Sequence, residues 1–105
     1  MLVNLCSHSI NLYINGVLNS TIMQSGEIAR CTQRQEYVET WLGIPITRQT
    51  FGDVIGLPAP KEGTRYIVSS KVAEACPDRK DLLIPGPAVR DEEGNQIGCE
   101  GLSVL

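Results

Sequence analysis

The chain has 105 residues, 42% of them hydrophobic and 20% charged, and its nine basic and twelve acidic side chains give a net charge of −3. That length supplies one hydrophobic core, so a single compact domain over residues 1–105 is expected. The composition excludes a disordered polar tail, a coiled coil and a collagen-like repeat. No run approaches the roughly 18–20 apolar residues of a membrane span, and an acidic chain of pI 5.0 lacks the clustered cations that DNA or an anionic membrane requires.

In chain order, Ile10, Leu12 and Ile14 alternate with Asn11, Tyr13 and Asn15, the period of a half-buried strand. Asn15-Gly16 is a hairpin signal, because both central residues of a type I′ turn need positive φ, and Val17, Leu18, Ile22 and Met23 supply the return strand. Ser25-Gly26 marks a turn. Ile28 to Thr32 reads as a third strand, with loose alternation through Tyr37-Val38, and Trp41-Leu42-Gly43 is expected at the rim of the core. Ile44-Pro45-Ile46-Thr47 is extended, since a residue before proline avoids the helical region. Gly52 to Gly63, with Gly56-Leu57-Pro58-Ala59-Pro60 inside it, is expected as a rigid loop. The continuous apolar run Tyr66-Ile67-Val68 predicts a central strand.

One helix is predicted, starting at Ser69 or Ser70, whose hydroxyl can accept from an orphan amide, and ending at Pro77. Its apolar stripe is Val72, Ala73, Ala75 and Cys76. Asp81 to Ile84 precedes a rigid Pro85-Gly86-Pro87 loop. Asp91 to Asn95 reads as a hairpin turn, Gln96 to Cys99 returns, and Leu102, Val104 and Leu105 form a last edge strand. The expected fold class is a mixed α+β domain, mainly antiparallel β with one short helix and roughly six to eight short strands. One Trp, one Phe and three Tyr make a core thin in aromatics, so a homo-oligomer that buries further surface is expected.

Cys6, Cys31, Cys76 and Cys99 are widely spaced, which disfavours a zinc site, and no metal or cofactor is expected. The stretch Met1 to Leu5 has no basic leader or long apolar run, so free thiols in a reducing cytoplasm are expected. His8, the lone histidine, lies between Ser7 and Ser9. It reads first as a turn residue, because no nucleophile elbow accompanies it. Asp91-Glu92-Glu93 lacks the alternating ligand positions of a calcium loop and reads as a solvated hairpin tip. No Gly-rich phosphate loop is present. Six of the nine cations are arginine, whose planar fork matches phosphate and carboxylate in two bonds. Arg48, Arg65, Arg79 and Arg90 stand beside Pro/Gly-punctuated loops that can present them to a small anion with little ordering cost. The competing reading pairs them with surface acids. Tyr13, Tyr66, Phe51 and Trp41 are candidates to stack a base.

Several blocks together carry a resemblance. They are Val3-Asn4-Leu5 with His8, Ser25-Gly26 with Ala29-Arg30, Gly43-Ile44-Pro45, and Phe51-Gly52-Asp53-Val54. Gly56-Leu57-Pro58-Ala59-Pro60 with Gly63-Thr64, and Tyr66-Ile67-Val68-Ser69 with Val72, Ala75, Arg79 and Asp81-Leu82, follow. Pro85-Gly86, Val89-Arg90-Asp91, Gly94 and Ile97-Gly98-Cys99 complete the set. Over nearly its full length the chain resembles a family of small proteins encoded by bacteriophages and prophages. Members of that family often carry Thr-Pro ahead of the histidine, where this chain has Cys6-Ser7.

A phage origin implies an inhibitor of host systems or a minor virion part, and the expectation taken from it is a non-enzymatic anti-defence protein of the host cytoplasm. By analogy with oligomeric phage sponges, it would sequester a small nucleotide-derived immune signal of cyclic oligonucleotide or cyclic ADP-ribose type without cleaving it. On that reading Arg30, Arg65, Arg79 and Arg90 hold phosphate, Tyr66 or Phe51 stacks the base, and Asp91 orients an arginine or accepts from a ribose hydroxyl. A protein–protein inhibitor of a host system, a minor virion component and an enzyme that degrades such a signal are the alternatives.

Overall fold

Short apolar runs separated by turn residues cannot make long helices, and the computed structural model, which describes residues 1–105, is built mostly of strands. The elements are β1 (Leu2–Asn4), β2 (Ile10–Ile14), β3 (Val17–Ile22), β4 (Arg30–Trp41), β5 (Ile44–Ile55), β6 (Arg65–Ile67), α1 (Ser70–Ala75), β7 (Leu82–Pro85), β8 (Ala88–Arg90), β9 (Gln96–Glu100) and β10 (Leu102–Ser103). They form a four-stranded sheet β1-β6-β7-β10, a four-stranded sheet β3-β2-β9-β8 and the two-stranded ribbon β4-β5.

Antiparallel pairing joins four of the seven strand pairs, among them the long β4–β5 ribbon, but both four-stranded sheets are mixed. β1 with β6, β6 with β7, and β2 with β9 run parallel. The reason lies in the connections. Parallel neighbours need a crossover, and α1 provides one between β6 and β7. The helix itself forms where the serines place it. Ser69 is the N-cap, its Oγ accepting from the amide of Val72 at 3.4 Å, and Val72 and Ala73 are buried. At the other end the amide of Cys76 closes onto the carbonyl of Ala73, one residue before Pro77.

β6 sits between two cores, as its unbroken apolar run requires. Tyr66 and Val68 belong to a cluster with Leu5, Ala29, Val72, Ala73 and Leu82, on the side of α1 and the start of β4. Ile67 points the other way, into a smaller cluster with Ile10 and Cys99 of the second sheet. The first sheet is therefore the middle layer, with α1 on one face and the second sheet on the other.

In the second sheet, Asn15 and Gly16 make the turn between β2 and β3 with φ of 52° and 78°, the left-handed pair of a type I′ turn. The Glu100 carboxylate accepts from both turn amides, Asn15 at 2.5 Å and Gly16 at 3.3 Å, so the end of β9 holds this hairpin. Asp91 to Asn95 turns between β8 and β9, with Asp91 Oδ1 accepting from the amides of Glu93 and Asn95 at 2.9 Å each.

β4 and β5 correct an expectation. Trp41-Leu42-Gly43 is not the rim of the core but the tip of a long arm, with Trp41 63% and Leu42 77% exposed. Every residue from Thr32 to Gln49 is exposed. Gly52 to Ile55, expected as loop, continue β5, and the loop begins at Gly56. The short alternating segments of this region extend each other because the two strands pair in antiparallel register from Arg30 with Ile55 out to Trp41 with Ile44.

Asn4 joins the layers. It is 1% exposed, and its Nδ2 donates to the carbonyls of His8 at 3.0 Å and Ile22 at 3.1 Å, while Oδ1 accepts from the amide of Cys6 at 2.9 Å. Burying an unpaired amide or carbonyl costs about 1–3 kcal/mol. Asn4→Ala strands three such groups, and Asn4→Asp keeps the acceptor but removes both donations. Both variants are expected to lower the urea midpoint, Asn4→Asp by at least as much because it also buries a charge. An unchanged midpoint in either would show the carboxamide to be dispensable.

Candidate functional site

The loops that follow the parallel strands bring their polar residues to one end of the first sheet. Cys6, Ser7 and His8 come after β1, Ser69, Ser70 and Lys71 after β6, and Ile84 and Pro85 close β7. With Ile28, Ala29, Arg30 and Cys31 at the start of β4, they line a cleft of about 740 Å³. That volume is within the range of small-molecule sites. The carboxyl edge of parallel strands is also where open α/β sheets place their ligands.

The charge in the cleft is one-sided. Arg30, Lys71 and His8 line it, and no Asp or Glu does, although acids outnumber bases in the chain as a whole. Ser7 and Ser70 add exposed hydroxyls, while the Ser69 hydroxyl is engaged by the helix amide of Val72. His8 Nδ1 lies 3.0 Å from the carbonyl of Ser9, which leaves Nε2 as the other polar atom of the ring. Burial pushes the Cys6 thiol pKa up, with Cys99 adding to the effect. A thiol held protonated is a poor nucleophile. Cys6, Cys31, Cys76 and Cys99 are all free, and no group of three or more His, Cys, Asp or Glu side chains is placed to hold a metal ion.

Of the four arginines expected to bind phosphate, only Arg30 lines this cleft. Arg79 donates from Nε and Nη2 to both oxygens of Asp81, at 2.9 and 2.8 Å, and from Nη2 to the carbonyl of Pro58 at 3.0 Å. It clamps the proline loop to the body. Arg65 lies at the amino end of β6, away from the cleft, where its charge also acts on Asp81. Arg79 is thus engaged by a carboxylate of its own chain. Arg90 donates to the carbonyl of Gly94 at 3.0 Å, inside its own hairpin. Asp91 spends its Oδ1 on the same turn. Both therefore serve that hairpin.

Tyr66 is 5% exposed and fills the core, so it offers no open face for stacking. Tyr13 packs its ring edge where a Cβ on Gly98 would sit. Phe51 is 47% exposed and shares a shallow recess with Gln33, Gln49, Thr50, Glu74 and Lys71. Lys71 also lines the main cleft, so it connects Phe51 to Arg30. Sequence reading did not single out Lys71, Ser7 or Ser70 as candidates. The available signal was position: Lys71 follows directly on the helix-capping serines, and His8 stands in the loop after the first strand.

Comparison with known proteins finds no matching family model, no matching curated protein and no matching solved structure. No helix of the chain is long and apolar enough to cross a membrane.

The Arg79–Asp81 pair has a pH signature. The Arg79 guanidinium, bonded to both carboxylate oxygens, holds Asp81 below the ordinary carboxylate range, with the charge of Arg65 as a smaller aid. A carboxylate whose folded pKa is depressed stabilises the fold above its unfolded pKa and loses that contribution as pH falls through the folded value. Asp81→Asn is expected to destabilise by about 1.5–3 kcal/mol at neutral pH. The gap between wild type and variant should begin to narrow near about pH 4 and close only as pH falls through the depressed folded value, as measured by thermal melts across pH. A gap constant with pH would show that the pair does not couple to folding.

Proposed function

We propose that this protein is a phage-encoded binding protein that captures a small phosphate-bearing ligand of nucleotide type in the cleft between β1, β6, β7 and the root of β4. Sequestering a nucleotide-derived immune signal, of cyclic oligonucleotide or cyclic ADP-ribose class, inside the host cell is the activity this reading assigns. The observation that carries it is the charge of the cleft: two cationic side chains, Arg30 and Lys71, and His8 face one recess that no carboxylate enters, on a chain of net charge −3. An arginine fork and a lysine ammonium are complementary means of holding phosphate oxygens. The exposed Phe51 beside Lys71 offers a ring on which a base can stack. The protonated Cys6 thiol and the ordinary turn role of Asp91 favour binding over bond cleavage. The likeness to small phage proteins supplies the biological setting.

The test is a panel of cyclic dinucleotides, cyclic trinucleotides and cyclic ADP-ribose isomers, added to the protein and read by thermal shift and calorimetry. At least one member should raise the melting temperature and be released chemically intact on heating. Arg30→Ala and Lys71→Ala, both at exposed positions, are each expected to weaken binding about ten-fold or more, the loss of one charge-assisted contact. Absence of any shift, or a chemically altered ligand, refutes the proposal.

A further inference from the structure

A hairpin standing alone in water is marginal, and one that exposes its largest apolar residues is worse placed still. The arm formed by β4 and β5 is such a hairpin. Each strand has 12 residues, so the arm is about 40 Å long. Its side chains from Thr32 to Gln49 touch no buried cluster of the chain. Pairing places Trp41 opposite Ile44 and Glu39 opposite Ile46 on one face, with Glu36 opposite Arg48 and Arg34 opposite Thr50 nearer the body. Tyr37 and Thr40 share the other face, their hydroxyls 2.6 Å apart. Trp41, Leu42 and Ile44 are 63%, 77% and 58% exposed.

Leu42 departs from what a free hairpin would select. Its φ is 51°, in the left-handed region that glycine, asparagine and aspartate tolerate and leucine does not. An exposed leucine held in a costly conformation at the extremity of an arm brings the isolated chain no benefit. Strain of this kind points to a function for the residue.

Two quantities identify the occupant. The chain exposes 7262 Å², against about 5,800 Å² for a compact monomer of its mass. The surplus, about 1,500 Å² per chain, exceeds the roughly 800 Å² that each partner of a standard interface buries. The radius of gyration is likewise 16.7 Å, against about 13 Å for a compact domain of this length. The second quantity is charge. From Arg30 to Ile55 the ribbon carries three arginines (Arg30, Arg34, Arg48) and three acids (Glu36, Glu39, Asp53), so it is neutral on a chain of net charge −3. Arms of two acidic copies can therefore approach each other without the net repulsion that the rest of the chain would bring.

We infer that the apolar tip of the β4–β5 arm, centred on Trp41, Leu42 and Ile44, is the docking surface for a second copy of this chain. The arm is then ordered by the assembly, and Leu42 occupies its left-handed position because contact with the partner copy outweighs the local cost. This inference is independent of the ligand cleft, since none of the three tip residues lines it.

The test is the oligomeric state of the full chain, by light scattering after size exclusion and by sedimentation across micromolar concentrations. The wild type is expected to run as a dimer or higher multiple of 11.5 kDa. Trp41→Glu should weaken association about thirty-fold or more, as loss of a central aromatic anchor does. Leu42→Asn guards against simple misfolding, because asparagine suits the left-handed turn. It should leave circular dichroism unchanged and still weaken association. A monomeric wild type, including one whose arm is covered instead by another protein, overturns the inference. So does an oligomer that both variants leave intact.

Discussion

One buried carboxamide fastens the layers of this protein together. Asn4 ends β1 in the middle sheet, yet its side chain reaches the carbonyl of Ile22 at the end of β3 in the second sheet. The same group binds the amide of Cys6 and the carbonyl of His8, which fixes the loop forming one wall of the cleft. No buried side-chain nitrogen or oxygen in the structure lacks a partner, so the polar cost of this arrangement is met by hydrogen bonds. Packing of apolar side chains alone would hold the sheets together without fixing where the Cys6 to Ser9 loop lies.

The cleft gains its character from what the folding topology leaves at one edge. Three parallel strands end on the same side, and the chain must turn away from each. Small and polar residues therefore collect there, and Arg30 and Lys71 reach them from the arm and the helix. Acids are kept elsewhere: Asp81 under Arg79, Asp91 in its hairpin, Glu100 on the turn amides of Asn15 and Gly16. An acidic chain can in this way carry a locally positive recess, because none of its carboxylates lines it and three of them are held in structural hydrogen bonds elsewhere.

The arm and the body follow opposite rules. The body buries Tyr66, Ile67, Val68 and Val72 almost completely, and α1, far too short to persist alone, is held by that burial. The arm buries almost nothing within the chain and relies on the backbone ladder between its two strands. Only 12 of 105 residues are buried, and none of them belongs to β4 or β5.

Local signals were legible wherever one residue type answers one physical need. Asn15-Gly16 turns because both residues accept positive φ, Ser69 caps because an amide needs an acceptor, and Tyr66-Ile67-Val68 is central because it is apolar on both faces. The cue for parallel pairing was also present, as a helix between two apolar segments, but the abundance of hairpins masked it. Long-range placement was not legible. Whether an arginine lines a cleft or pairs with an aspartate depends on which loops converge, and no spacing along the chain told Arg30 from Arg79. Trp41 and Leu42 likewise read as core by their chemistry, since hydrophobicity says that a residue seeks cover but not whether its own chain provides it. Folding brought the amino end of β4, the loop after β1 and the first turn of α1 to one recess, and it carried the tip of the arm away from every other surface of the molecule.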